Sequence, residues 1–231
     1  MIGSFIPFII LFLIIIVHEL GHFLTAIILK VDVDKIYIYP FGGISKLNIK
    51  LNESIYKEFI ILIMGPLFQI IFSCFLVNIN FFSNYKELIY TYNYSILIFN
   101  LLPIYPLDGG KLLNLILSLN FPFKRSYELS IYISYLTVII LFIINIFTNI
   151  NINTIVIISF LIYKVSIELK KKNILFDKFL LERYLNNFYF KKRKNVDSVN
   201  EFMRGRSHII KINDKYYTER DVLNNKFKNK Y

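Results

Sequence analysis

His18, Glu19, Leu20, Gly21 and His22 are consecutive. On an α-helix, side chains four apart project from one face, so His18 and His22 can share one metal ion with Glu19 beside them. The residue types suit zinc-assisted hydrolysis. Neutral imidazoles bind zinc while leaving it Lewis-acidic, and a carboxylate that is not a ligand can take a proton from an activated water and pass it to a leaving amine. A catalytic zinc normally takes three protein ligands and keeps a fourth position open, so the cluster is one ligand short. Asp108 is the best third ligand, because it is the acidic residue of an interrupted apolar segment, where a carboxylate can face inward toward a neighbouring helix. The plainer alternative is that Asp108 only starts a helix before Gly109, Gly110 and Lys111. His208, the third histidine, reads as a partly exposed strand residue, and the remaining acidic residues of the body read as solvated.

The cluster lies inside an apolar run. Of the 231 residues 55 % are hydrophobic and 19 % charged, with mean hydropathy +0.51, which argues against a soluble globular enzyme. A helix needs about 20 apolar residues to cross the hydrocarbon core. Residues 5–29, 59–82, 130–147 and 152–167 reach or approach that length. A carboxylate at mid-membrane is costly, about 2.5–3.5 kcal/mol on insertion scales, and such residues usually serve a function. The first run lacks the basic start and small-residue cleavage site of a signal peptide, so it is expected to stay as a span. A fifth apolar stretch, 89–119, is broken by Asn100, Pro103, Pro106, Asp108 and two glycines. Broken helices at membrane depth occur where backbone lines a cavity or is buried in protein. Cys74, the single cysteine, lies in an apolar run and reads as a buried small hydrophobe.

Between the first two runs, 35–39 and 44–49 read as short strands joined by Pro40, Phe41, Gly42 and Gly43, a hairpin or re-entrant loop. Residues 170–231 carry 17 Lys and Arg against 7 Asp and Glu, leaving the body almost neutral in a chain of net charge +11. If five segments each cross once, the loop lysines and this basic tail fall on one side, which the positive-inside rule makes cytoplasmic, and the N-terminus lies outside. The Lys and Asn richness is compositional as much as functional, so nucleic-acid binding is not expected. Apolar residues from Ile174 to Phe188 recur at helical spacing and predict an amphipathic helix. Beyond it, 199–203 reads as a helix, 208–212 and 216–218 as strands around Asn213-Asp214, and Thr218 with Asp221 as the cap of a last helix. The expected fold is therefore an all-α polytopic membrane protein of about five transmembrane segments with a re-entrant hairpin loop and a small α/β tail. Its expected divisions are a core at 1–169, a linker helix at 170–194 and a tail module at 195–231.

The motifs His18-Glu19-Leu20-Gly21-His22, Pro40-Phe41-Gly42-Gly43, Gly65-Pro66 and the run from Asn100 to Lys111 together resemble the site-2 protease family of intramembrane zinc metalloproteases, in its sporulation branch. The tail from Lys178 onward resembles the linker and CBS region of that branch. The resemblance implies one zinc per chain on His18, His22 and Asp108, Glu19 as general base, and Asn100, Pro106, Phe41 and Gly43 at the substrate. It implies a membrane-associated protein substrate, in this branch a sigma-factor precursor, and inhibitory membrane partners. It also raises ATP as a ligand of the CBS-like tail and a homo-oligomer as the assembly. The location implied is the bilayer of a bacterium, around the forespore, with the tail in the cytoplasm. Relatives carry a further span before the zinc helix, whereas here 17 residues precede His18, so either that span is absent or the start lies upstream. Two alternatives stand beside this reading: a membrane metal transporter using the same histidines, and a protease of this type acting on another regulatory substrate.

Overall fold

The computed structural model describes residues 5–31, 50–148, 151–186, 188–212 and 215–228. The hairpin expected at 35–49, with Pro40, Phe41 and Gly43, and the Asn213-Asp214 turn lie outside them. The chain divides into two compact units, residues 1–101 and 102–231.

In hydrocarbon every backbone N–H and C=O must be satisfied within the protein, so apolar runs of this length become helices. The first unit holds α1 (Phe5–Ile28), α2 (Ile55–Val77), a short 3-10 helix (Asn80–Tyr85) and α3 (Lys86–Leu101). Lys30 ends α1 in the left-handed region, φ 52°, with Lys30 N–H bonded to Ile27 O and Val31 N–H to Ala26 O. That is a Schellman cap. Its customary apolar contact is present, since Val31 packs with Ala26 and Ile61. Ile10 and Ile14 of α1, Leu76 and Val77 of α2 and Ile89 of α3 form one buried apolar cluster. The buried face of α2 runs through Ile61, Leu62, Gly65, Pro66, Gln69, Ser73 and Leu76, whereas Ile63, Leu67, Ile70, Ile71 and Phe75 are exposed. Cys74 is also exposed rather than buried. An apolar neighbourhood in the sequence of a spanning helix does not imply an inward side chain, because its outer face is apolar too.

The second unit holds α4 (Asp108–Asn120), α5 (Phe123–Phe147), α6 (Ile152–Leu185), β1 (Lys192–Val196), a 3-10 turn (Val199–Glu201), β2 (Arg206–Ile212), β3 (Lys215–Thr218) and α7 (Glu219–Lys228). The interruption expected within 89–119 is real: α3 ends at Leu101 and α4 starts at Asp108. Among the described residues four helices, α1, α2, α5 and α6, are long and apolar enough to cross a membrane, and α3 is shorter. One stripe of α5, Ser126, Ser130 and Ser134, is buried, and each hydroxyl donates to a carbonyl one turn back. Such small residues let helices approach closely. Tyr127 donates to Glu168 and Tyr135 shares a hydrogen bond with Ser166, tying α5 to α6.

The last span and the amphipathic helix are one uninterrupted helix, α6. β1 was not foreseen in the sequence; it runs parallel to β2, and β2 pairs antiparallel with β3. Residues 199–203, expected as a helix, form only one 3-10 turn. Thr218 and Asp221 exchange hydrogen bonds at the start of α7, the reciprocal cap that their spacing predicts. Arg183, which reads as the polar side of an amphipathic helix, is buried instead. It donates to Glu219, Met203 O and Arg206 O and lies over the rings of Phe179 and Phe190, so α6 carries the tail sheet on its own end. His208 is likewise buried, at 3 % exposure, and not a partly exposed strand residue, because α6 and α7 close over β2.

Met203 N–H donates to His208 Nε2, so the ring proton sits on Nδ1 and goes to Glu219. Burial holds His208 below the usual imidazole pKa, against the opposing pull of Glu219. The unfolded chain therefore binds this proton more readily than the folded one. The stabilising contribution is complete above the ordinary value of about 6.5 and is lost as pH falls below it. Hydrogen exchange of the β2 amides, corrected for intrinsic rate, is expected to speed up between about pH 7.5 and pH 5.5, with a shallower change in His208→Asn.

Candidate metal centre

In the first unit, His18 and His22 are both buried on the inner face of α1, and their Nε2 atoms are 3.2 Å apart. His22 Nδ1 lies 2.8 Å from Ile61 O. A carbonyl only accepts, so that nitrogen carries the proton and His22 Nε2 presents a lone pair. Ile61 lies near Gly65 and Pro66 in α2. Pro66 has no N–H to donate into its helix, and Gly65 leaves room for a side chain from α1.

That room is tight. A Cβ on Gly65 would sit 2.2 Å from the His22 ring, and a Cβ on Gly21 would sit 2.6 Å from Met64 O. The two glycines let α1 and α2 pack backbone to backbone, with the His22 imidazole laid directly over Gly65. Gly65→Ala must therefore displace the ring. Zinc affinity measured by chelator competition is expected to fall at least tenfold, on the order seen when a ligand's support is removed, while Cys74→Ala on the exposed face leaves it unchanged.

The donor set fits zinc. Two nitrogens held about 2.0–2.1 Å from one tetrahedral ion stand about 3.3–3.4 Å apart, close to the separation of the two Nε2 atoms here. His18 Nδ1 faces Gln69 Oε1 at 2.8 Å, and Gln69 Nε2 lies 2.9 Å from both Asn93 O and Asn93 Oδ1. Asn100 Nδ2, near the end of α3, lies 3.4 Å from His18 Nε2. Glu19 follows His18 on α1 and is half-buried. The first unit thus brings His18, His22 and Asn100 to one point with Glu19 beside it.

In the second unit, Asp108 is buried in the first turn of α4, where a carboxylate is favoured by the helix dipole, and its Oδ1 is 3.2 Å from Lys111 Nζ. The turn before it is fixed by its neighbours. Tyr105 N–H donates to Ser134 Oγ of α5, Leu107 N–H donates to Ile104 O, and a Cβ on Gly110 would lie 2.4 Å from the Ile104 and Tyr105 backbone. Gly110 therefore permits residues 104–105 to lie against α4, which sets where Asp108 begins the helix. Pro106 is half-buried in this turn, after a cis peptide bond.

Gln69 and Asn93 were passed over in the sequence reading. The available signal was chemical: a buried side-chain amide in an apolar span is costly unless its hydrogen bonds are met.

The model of peptidase family M50 matches residues 6–85 and 77–143. The chain is 34 % identical over 183 residues to stage IV sporulation protein FB of Bacillus subtilis, covering 75 % of this chain and 62 % of that protein. It is 35 % identical over 130 residues to a zinc metalloprotease of Methanocaldococcus jannaschii, covering 53 % of this chain and 38 % of that one. The chain thus spans less than two thirds of the length of these relatives. Among solved structures it is similar to the site-2 protease from Methanocaldococcus jannaschii, with TM-score 0.55 and 28 % identity over 70 % of this chain and 76 % of that one.

Proposed function

This chain belongs to peptidase family M50, the site-2 proteases, and from that premise we propose that it is an intramembrane zinc metalloendopeptidase that cleaves a membrane-associated regulatory protein. The observation that carries the reading is the His18 and His22 pair, both buried on an apolar helix, with Nε2 atoms 3.2 Å apart and Glu19 next to His18 in the chain. Asp108 is proposed as the third ligand, supported by its burial at the first turn of α4 and by the family resemblance of the segment around it. Bound zinc would supply Lewis acidity, polarising the scissile carbonyl and lowering the pKa of water.

The chain's own residues do the rest. His18 and His22 would hold the ion through Nε2, each ring keeping its proton on Nδ1 toward an acceptor. Glu19 takes a proton from the water as the water oxygen bonds to the scissile carbonyl carbon, and delivers it to the leaving amine as the C–N bond breaks. Asn100, whose Nδ2 lies 3.4 Å from His18 Nε2, offers an amide to the substrate backbone beside the histidine pair. Pro106 shapes the turn before α4, and Phe41 and Gly43 keep the substrate-binding role that the resemblance implies. The spanning helices restrict water and substrate entry.

The proposed substrate is a sporulation sigma-factor precursor, supported by the identity to stage IV sporulation protein FB. In this reading residues 1–169 do the chemistry, residues 170–194, beginning with the last part of α6, are the link, and the basic module at 195–231 faces the cytoplasm, meets the precursor and is the part that would take ATP. Inhibitory membrane proteins hold the enzyme off until cleavage is due.

The test is co-expression of the protein with such a precursor, followed by cleavage in proteoliposomes with and without a zinc chelator. Cleavage that stops on chelation and returns with zinc is the expected result. Cleavage only of a different membrane-tethered regulator would redirect the substrate assignment. Metal flux without cleavage would overturn the protease reading in favour of a transporter.

A further inference from the structure

His22 is committed by the Ile61 carbonyl to an unprotonated Nε2, but nothing in His18 alone commits its tautomer. If His18 carried its proton on Nε2, the 3.2 Å contact would be an ordinary hydrogen bond from His18 to His22, and no lone pair of His18 would be available. The pair would then satisfy itself without a cation. What decides between these states is the group on His18 Nδ1.

That group is the Gln69 side chain, which is fully buried. Its amide could face His18 by either end, and Asn93 chooses. The backbone carbonyl of Asn93 can only accept, and it stands 2.9 Å from Gln69 Nε2, with Asn93 Oδ1 at the same distance. With the amide reversed, Gln69 Oε1 would stand 2.9 Å from a carbonyl oxygen that has no proton to offer, and two acceptors would repel inside an apolar unit. The NH2 end therefore belongs to Asn93, and Oε1 is left for His18 Nδ1 at 2.8 Å. An amide oxygen only accepts, so Nδ1 holds the proton and Nε2 is bare. Asn100 Nδ2, a donor 3.4 Å from that nitrogen, agrees with a lone pair there.

We propose that Gln69 is a positioning residue, oriented by Asn93, that sets the His18 tautomer and thereby converts a hydrogen-bonded histidine pair into a metal site. The order of control runs from the Asn93 carbonyl on α3, through the Gln69 amide on α2, to the imidazole on α1. It also explains why a glutamine is retained in the middle of a spanning helix, since its hydrogen-bonding capacity is used on both sides. A ligand histidine whose second nitrogen is held by an acceptor is a general feature of metal sites, and loss of that acceptor typically costs about 10–100-fold in metal affinity or activity.

This inference rests on the zinc reading, and the experiment separates the two. The full-length protein, wild type, Gln69→Leu and Gln69→Glu, is purified in detergent, and its zinc affinity is measured by chelator competition. Cobalt is then substituted and its visible spectrum recorded. Gln69→Leu removes the acceptor and is expected to lower affinity about 10–100-fold and to change the cobalt spectrum. Gln69→Glu restores an acceptor at the same reach and is expected to recover most of the affinity and the wild-type spectrum. That rescue separates tautomer control from a loss of packing, because both variants lose the donor to Asn93. Equal affinity and spectrum in wild type and Gln69→Leu would overturn the proposal, as would an equal loss in both variants. Failure of the wild type to bind zinc would instead overturn the zinc reading itself.

Discussion

Replacing Glu19 by Gln is expected to slow cleavage by roughly 10²–10⁴-fold, the usual contribution of a positioned general base, with one zinc per chain still bound. Gln has nearly the shape of Glu and fits the half-buried position after His18, so the helix and the two imidazoles keep their places. What it lacks is a proton acceptor of suitable basicity. Substrate affinity, read as co-purification of an uncleaved precursor, is expected to persist and to make this variant a trap. Loss of zinc along with activity would show that Glu19 is a ligand, as the transporter reading requires. Normal cleavage would remove it from the mechanism.

Asp108→Ala is expected to abolish cleavage and to weaken zinc binding by more than the roughly 10–100-fold typical of an outer partner. The competing account is that Asp108 merely begins α4, where its charge interacts with the helix dipole and with Lys111 Nζ at 3.2 Å. A carboxylate at that position is worth about 0.3–1 kcal/mol. Asp108→Asn separates the accounts, because Asn has nearly the shape of Asp in the first turn of α4 but is a much poorer zinc ligand. If Asp108 is the third ligand, Asp108→Asn loses zinc and activity while its thermal midpoint with zinc absent stays close to that of the wild type. If both variants keep zinc and only the midpoint moves, Asp108 is structural and another group completes the site.

Much of the site was legible in the chain because its chemistry is local. A four-residue spacing on one helix suffices to place two imidazoles together, and the break around Pro103 and Pro106 follows from residues that cannot continue a helix. The cap at Thr218 and Asp221 was equally readable, since its partners are three residues apart. Where the reading went astray, the cause was long-range packing. Arg183 and His208 look like surface residues by type, yet α7 closes over both, with Glu219 36 and 11 residues away. Cys74 failed in the opposite direction, because a spanning helix is apolar on both faces and hydrophobicity alone does not say which face is inward. Buried Gly65, Gln69 and Ser73 mark the inner face of α2 better than its isoleucines do.

By itself the sequence determined that this chain is a multi-pass membrane protein, where its long helices lie, and that His18, Glu19 and His22 share one turn. Those properties depend on hydrophobicity and helical period, which act between near neighbours. Only the tertiary structure decided that the His22 ring lies over Gly65, that Ile61 and Gln69 occupy the Nδ1 positions of the two histidines, and that Asn93 orients Gln69. These partners are 24 to 51 residues apart. A buried amide or imidazole can be satisfied in several ways, and which way is chosen depends on the backbone that folding brings within hydrogen-bond reach.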